Sequence, residues 1–340
     1  LWPGAHEIHT IPRYPKIMLP ASEQLKPTLK PIDRMIGADI SWLPELEARG
    51  RKFYDNGQDK DALQLLKKHG FNTIRLRTFV NPENEKGYSP GKGYCGLDST
   101  LAMALRVKNA GMKLLLDYHY SDYWADPQQQ NKPLAWADLD YDSLRDSVRR
   151  YTARVLLRLQ AQGTMPDMVQ VGNEINHGIL WPEGHIGDLD GLAGLLKAGV
   201  EGINEVNKDI PIMMHVALGG QNKEAVFWFD NMIARGVEFD IIGLSYYPRW
   251  HGTLDDLKAN LLDLKERYKK PLNVVEYSHF KKEVHDIVFN LPDEKGRGAC
   301  IWEPLSWMGT IVDREGNVMD VISVYDQLRD EYLEIANPNP

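Results

Sequence analysis

Glu174 and Glu276 each close a short apolar run, 168–173 before the first and 273–275 before the second. Runs of this kind read as strands, and the ends of similar runs carry a dense polar and aromatic set. Asp39 and Trp42 follow one; Arg75 and Arg77 share a face of the next. A third runs into Asp117, His119, Asp122 and Trp124, and others end at Asn173, His215, Ser245-Tyr246-Tyr247 and Trp302-Glu303. A lone carboxylate at a strand end is often only the cap of the following helix, but glutamate is a poor N-cap. Two of them among tyrosines, tryptophans and histidines suit glycosidic bond cleavage. That reaction needs one carboxylic acid to protonate the leaving oxygen and one carboxylate to attack or to activate water. Two close carboxylates push their pKa values apart, which keeps one protonated near neutral pH. Aromatic rings stack on the apolar faces of sugars, so Trp124, Trp136, Trp181, Trp250 and Trp302 are candidate platforms. Trp228 falls mid-helix and reads as core.

The elements that must position these residues follow from periodicity. From Asp33 onward, short β-branched runs alternate with segments whose apolar residues recur at three and four positions. Strands are expected at 35–41, 73–79, 113–119, 168–173, 212–217, 241–246, 273–276 and 299–303. Helices are expected at 59–69, 101–110, 141–162, 191–207, 224–235 and 254–268. Gly70, Gly111, Gly163 and Gly236 stand just past four of these helices, where a left-handed residue ends the last turn. Such alternation implies an α/β fold with a parallel sheet. Eight units, and no glycine-rich fingerprint after the first strand, favour a single closed (β/α)8 barrel over an open sheet. The helix between strands seven and eight can only be a stub near 284–291, so it is expected short or missing. In such a barrel the active site lies at the carboxyl ends of the strands. Strands four and seven face each other across the mouth.

Residues 1–32 hold six prolines and no sustained periodicity. They read as an extended arm, with residues 33–340 as the catalytic domain. The net charge of -8 and the absence of a basic stripe argue against a nucleic-acid partner. No apolar run is long enough to cross a bilayer. Cys95 and Cys300 are too few for a disulfide framework and are expected as free or buried thiols. The chain starts at Leu1 rather than Met, as it would after removal of a leader or after trimming, so the compartment is not written in these residues.

The motifs resemble the clan of retaining glycosidases on (β/α)8 barrels and, within it, the family 53 glycoside hydrolases, the endo-β-1,4-galactanases. The matching segments are GADISW (37–42), NTIRLRTFVNP (72–82), GYCGLD (93–98), LLDYHYSDYWADPQQQNKPLAW (115–136), VQVGNEINHGILWPEG (169–184), AGVEGI (198–203) and IIGLSYYPRWHGTL (241–254). The resemblance implies endo-hydrolysis of β-1,4-galactan by double displacement, with Glu174 as acid/base and Glu276 as nucleophile. It implies that Asn173 holds the sugar 2-hydroxyl. Arg77, His119, Tyr246 or Tyr247, and Trp302 would shape the subsite around the nucleophile; Asp122, Trp124 and His215 rank second, and Asp39 reads as a structural network residue. The substrate implies a secreted, cell-surface or periplasmic enzyme, expected as a monomer and without a cofactor.

The chain departs from the family in two places. Some bacterial members bind calcium in the loop after strand seven. Here 278–298 is short, and its lysines offset its acids, so no metal is expected there. Phe79 replaces a more usual tryptophan. Three rivals share parts of the pattern: a mannanase, glucanase or β-galactosidase of the same clan; a non-catalytic sugar-binding barrel; and a metal-dependent hydrolase using Asp117, His119 and His215. The last lacks the His-x-His expected on a first strand.

Overall fold

The computed structural model describes residues 30–306 and 310–334. The proline-rich arm lies outside the described residues up to position 29. Its last residues reach the bottom of the domain, where the Lys30 ammonium bonds Asp240 and the carbonyl of Ile210.

Eight strands form the frame: β1 (Met35–Asp39), β2 (Thr73–Thr78), β3 (Lys113–Tyr118), β4 (Met168–Val171), β5 (Ile212–Val216), β6 (Ile241–Tyr246), β7 (Leu272–Tyr277) and β8 (Gly296–Trp302). They pair in parallel around a closed barrel, β8 returning to β1. A helix follows each strand: α1 (Ala62–Lys68), α2 (Leu97–Asn109), α3 (Tyr141–Ala161), α4 (Leu189–Val206), α5 (Asn222–Ala234), α6 (Leu254–Tyr268), α7 (Lys281–Phe289) and α8 (Ser323–Arg329). The eight expected strands and six expected helices are present, the strand at 241–246 and the helix at 254–268 with the expected ends and the others shifted. The poorest unit proves to be short rather than missing, since α7 has nine residues. Local chemistry sets the boundaries. Asp61 accepts from the Leu63 and Gln64 N–H groups, so α1 starts later than its periodicity suggested. A Thr253–Asp256 capping box opens α6.

Alternation along the strands divides the molecule into two layers. In β2, Ile74 and Leu76 point outward into the main core beneath the helices, while Arg75 and Arg77 point inward. Each fully buried large apolar side chain of that outer core contributes about 1.5–3 kcal/mol. Trp228 is one of them and also donates its indole N–H to the Ile175 carbonyl. Within the barrel the lower level is apolar: Met35, Leu115, Met168, Met213, Ile241, Val275 and Cys300 pack together with Ile32. The next inward level holds Asp117, Gln170 and His215, with Ser245 one step higher on β6, beyond Gly243. A dry floor thus carries a polar layer at the mouth.

One irregularity decides the site. Gly243 pairs with Asn273, but Ser245 pairs with Glu276, so β7 carries one extra residue against β6. Bulges of this kind re-aim side chains. Val275 packs in the inner cluster, Glu276 also reaches inward, and Tyr277 turns out to meet Tyr325.

Candidate active site

Arg75 organises the polar layer. Its Nη1 donates to Glu276 Oε2 at 2.9 Å and Asp39 Oδ2 at 3.3 Å. Its Nη2 donates to Asp117 Oδ2 at 2.9 Å and Asn173 Oδ1 at 2.8 Å, and its Nε to Gln170 Oε1 at 3.2 Å. A guanidinium has five N–H donors in a fixed fork, and this one spends them all on buried acceptors. The sequence reading placed Arg77 at the nucleophile instead. Both arginines face inward, but Arg77 is held aside by Glu303 at 2.7 Å and Asp39 at 3.3 Å, with its guanidinium 4.4 Å from the Trp124 ring centre. Asp39 bridges both arginines and binds Ser41, which fits the network role expected of it.

Glu276 is buried and accepts a second hydrogen bond, from the Tyr247 hydroxyl to Oε1 at 2.8 Å. The choice left open between Tyr246 and Tyr247 falls to Tyr247. Tyr246 has the opposite parity, lies in the outer core and bonds the Gly252 carbonyl.

Glu174 arrives by a sharp turn. Gly172 (φ +78°) and Glu174 (φ +48°) are left-handed, and a Cβ on Gly172 would lie 2.6 Å from Ile175. Only glycine enters such a position without strain. The Glu174 carboxyl accepts from Ser245 Oγ at 2.7 Å, and His215 Nε2 lies 2.7 Å from the same hydroxyl. Burial first, and then the charge of Glu276, hold the Glu174 carboxyl well above the usual carboxylate range. Burial and the neighbouring Arg75 hold His215 well below the usual imidazole range, so it is neutral at pH 7. Asn173 bonds Arg75 through Oδ1 and the Ala125 carbonyl through Nδ2, which still leaves it one N–H.

Trp42, Trp124 and Trp302, all half-buried, form one wall of the mouth. Their ring centres lie 5.1 Å (Trp42–Trp302), 6.2 Å (Trp42–Trp124) and 6.3 Å (Trp124–Trp302) apart. Phe79 packs edge-on against Trp124 and His119 behind this wall. His119 is buried with both nitrogens engaged, on Asp117 and on the Ala125 N–H, so it orients Asp117 rather than facing the mouth. Asp122 also stands apart from the cluster. Its carboxylate takes the N–H groups of Asn81 and Leu134 and the Asn84 amide, tying two loops together. Among the other candidate platforms, Trp136 is core, Trp181 bonds the His177 carbonyl, and Trp250 is 62% exposed beneath Arg249. Arg75, Ser245 and Trp42 belong to the site although the sequence reading gave them no role. Ser245 shares the parity of Tyr247, which was the signal available for it.

Glu174, His215 and Glu276 each offer one ligand atom within 4.8 Å of the others. Three such donors could hold a cation, but the surroundings do not suit one. Arg75 already supplies positive charge to Glu276, and both His215 nitrogens have protein partners. Both cysteines are buried and free, as expected. Two carboxyl groups thus lie within 4.8 Å, one pushed well above the usual carboxylate range and one bonded to a guanidinium.

The glycosyl hydrolase family 53 model matches residues 35–296. An uncharacterized protein from the bgaB 5′ region of Niallia circulans is 48% identical over 81% of this chain and 84% of its own length. The arabinogalactan endo-β-1,4-galactanase of Cellvibrio japonicus is 36% identical over 72% of this chain and 65% of its own. The family 53 catalytic domain of Ignisphaera aggregans superposes with a TM-score of 0.83 at 31% identity, covering 89% of this chain and 99% of that domain. With a barrel, a carboxylate pair at its mouth and relatives of this kind, the chain belongs to glycosyl hydrolase family 53.

Proposed function

We propose that this protein cleaves β-1,4-galactan internally, by double displacement with retention of configuration. The observation that carries the mechanism is the separation of Glu174 and Glu276, within 4.8 Å, in contrasting environments. Retaining enzymes hold their carboxyl groups about 5 Å apart, while inverting ones leave room for a water. Glu276, oriented by Arg75 and Tyr247, attacks the anomeric carbon; Glu174 protonates the departing oxygen. The resulting ester removes the negative charge of Glu276. One cause that keeps Glu174 protonated then disappears, and Glu174 becomes the base that takes a proton from the incoming water. Asn173 directs its remaining N–H at the 2-hydroxyl, and Trp302 and Trp124 support the sugar. The barrel acts as one catalytic domain, a monomer, and Ile32 at the end of the arm packs into its floor. A polymeric substrate is met outside the cell, so we place the enzyme there; no helix among the described residues is long and apolar enough to cross a membrane.

Reducing-end release from linear β-1,4-galactan, against mannan and glucan, tests the substrate, and the anomeric proton spectrum of the first product tests retention. Glu174→Gln and Glu276→Gln should each lose about a hundredfold to ten-thousandfold or more in turnover while still binding oligosaccharide. Near-normal turnover in either variant, or an inverted first product, would refute the assignment.

A further inference from the structure

His215 and Ser245 stand behind Glu174 in a single file that runs from Gln170. Gln170 Nε2 lies 3.0 Å from His215 Nδ1, and the backbone N–H of Glu174 points at the same nitrogen at 3.4 Å. Asn173 Oδ1 is also 3.1 Å away, but it already accepts from Arg75 at 2.8 Å. Gln170 Nε2 has only two N–H groups, for which Asp117 Oδ1 at 2.8 Å and the Gly172 carbonyl at 2.9 Å compete, so the backbone N–H of Glu174 is the donor that makes Nδ1 accept and puts the imidazole proton on Nε2. Nε2 then donates to Ser245 Oγ at 2.7 Å, and the hydroxyl can only pass its own proton onward, to Glu174 Oε1 at 2.7 Å. We propose that His215 and Ser245 form a directed hydrogen-bond chain that reserves Oε1 of Glu174 as an acceptor. The proton that Glu174 delivers and recovers is thereby confined to Oε2, its other oxygen. The inference rests on the acid/base role given to Glu174 above. It makes Ser245 and His215 positioning residues: they orient the acid and stabilise its ionised form without touching the sugar.

The titratable and charged groups that face Glu174 are Glu276 on β7, Asp126 in the loop after β3, Arg75 on β2, Tyr247 after β6 and the neutral His215 on β5. The Ser245 hydroxyl opposes the upward push of burial and of Glu276. Ser245→Ala should therefore move the alkaline limb of the kcat/KM profile to higher pH by about one unit, the size carried by a hydrogen bond to a charged group, and leave the acid limb in place. Ser245→Thr, which keeps the hydroxyl, should return the limb to its parental position. Nitrogen-15 spectra of His215 near neutral pH should show a protonated Nε2 and a bare Nδ1, a readout independent of activity. A proton on Nδ1 would overturn the proposal, as would an unmoved alkaline limb in Ser245→Ala or a shift that threonine does not reverse. The two readings fail differently. Full turnover in Glu174→Gln would remove the acid assignment itself, whereas an inactive Glu174→Gln with an unmoved Ser245→Ala profile would remove only the chain.

Discussion

Replacing Arg75 by methionine is the sharpest test of how the mouth of the barrel is held together. The substitution nearly conserves length but removes the one charge that meets Glu276, Asp39 and Asp117 at 2.9, 3.3 and 2.9 Å. Asp39 keeps Arg77 and Ser41, Asp117 keeps His119 and Gln170, and Glu276 keeps only Tyr247. Breaking a single buried ion pair from one side costs about 3–5 kcal/mol, because the remaining charge stays buried. Glu276 and Asp117 are left without a guanidinium and Asp39 loses one of two, so about 4 kcal/mol is a lower figure for the loss at pH 7, out of the 5–15 kcal/mol typical of a folded domain. Denaturant unfolding of parent and Arg75→Met at pH 7 reads the loss, and Arg75→Lys should fall between, with one ammonium in place of a five-donor fork. A variant within about 1 kcal/mol of the parent would refute the reasoning.

Two further outcomes follow from the same geometry. Tyr247→Phe removes one hydrogen bond to the Glu276 carboxylate and should lower kcat/KM by about tenfold to a hundredfold, whereas Tyr246→Phe should cost about 1 kcal/mol of stability and leave turnover unchanged; equal kinetic effects would contradict the assignment by parity. His251 and His285 are buried, with pKa values pushed from 6.5 down to about 4. The unfolded chain takes up their protons first, so the stability they contribute is complete above pH 6.5 and is lost as pH falls toward 4, on the order of 3 kcal/mol for each. His285→Gln should flatten the fall in unfolding free energy between those limits, and an unchanged slope would show that His285 is not titrating.

The barrel was legible because its two signals are local: inward and outward residues alternate along each strand, and each helix repeats its apolar face every three or four residues. Glu174 was legible for the same reason, since it stands directly past a β-branched run. What escaped the sequence is what depends on neighbouring strands. Arg75 and Arg77 have the same parity, and only the closed barrel reveals that one reaches Glu276 while the other is held by Glu303. Tyr247 lies one residue beyond β6, so its inward direction could not be read from a strand boundary alone.

Glu276 shows how far this dependence goes. Counted from Asn273, which reaches inward to Met35, strict alternation would send residue 276 outward, into the helices. The extra residue in β7 opposite Gly243–Ser245 cancels that step and aligns Glu276 with Ser245, the residue that bonds Glu174. The two carboxyl groups therefore meet through the pairing of β6 with β7. Glu174 is held by the hydroxyl of the β6 residue in register with Glu276, so a slip of that single pair would turn Glu276 away from Arg75. Register between two adjacent strands, more than either strand's own sequence, fixes the gap across which the chemistry takes place.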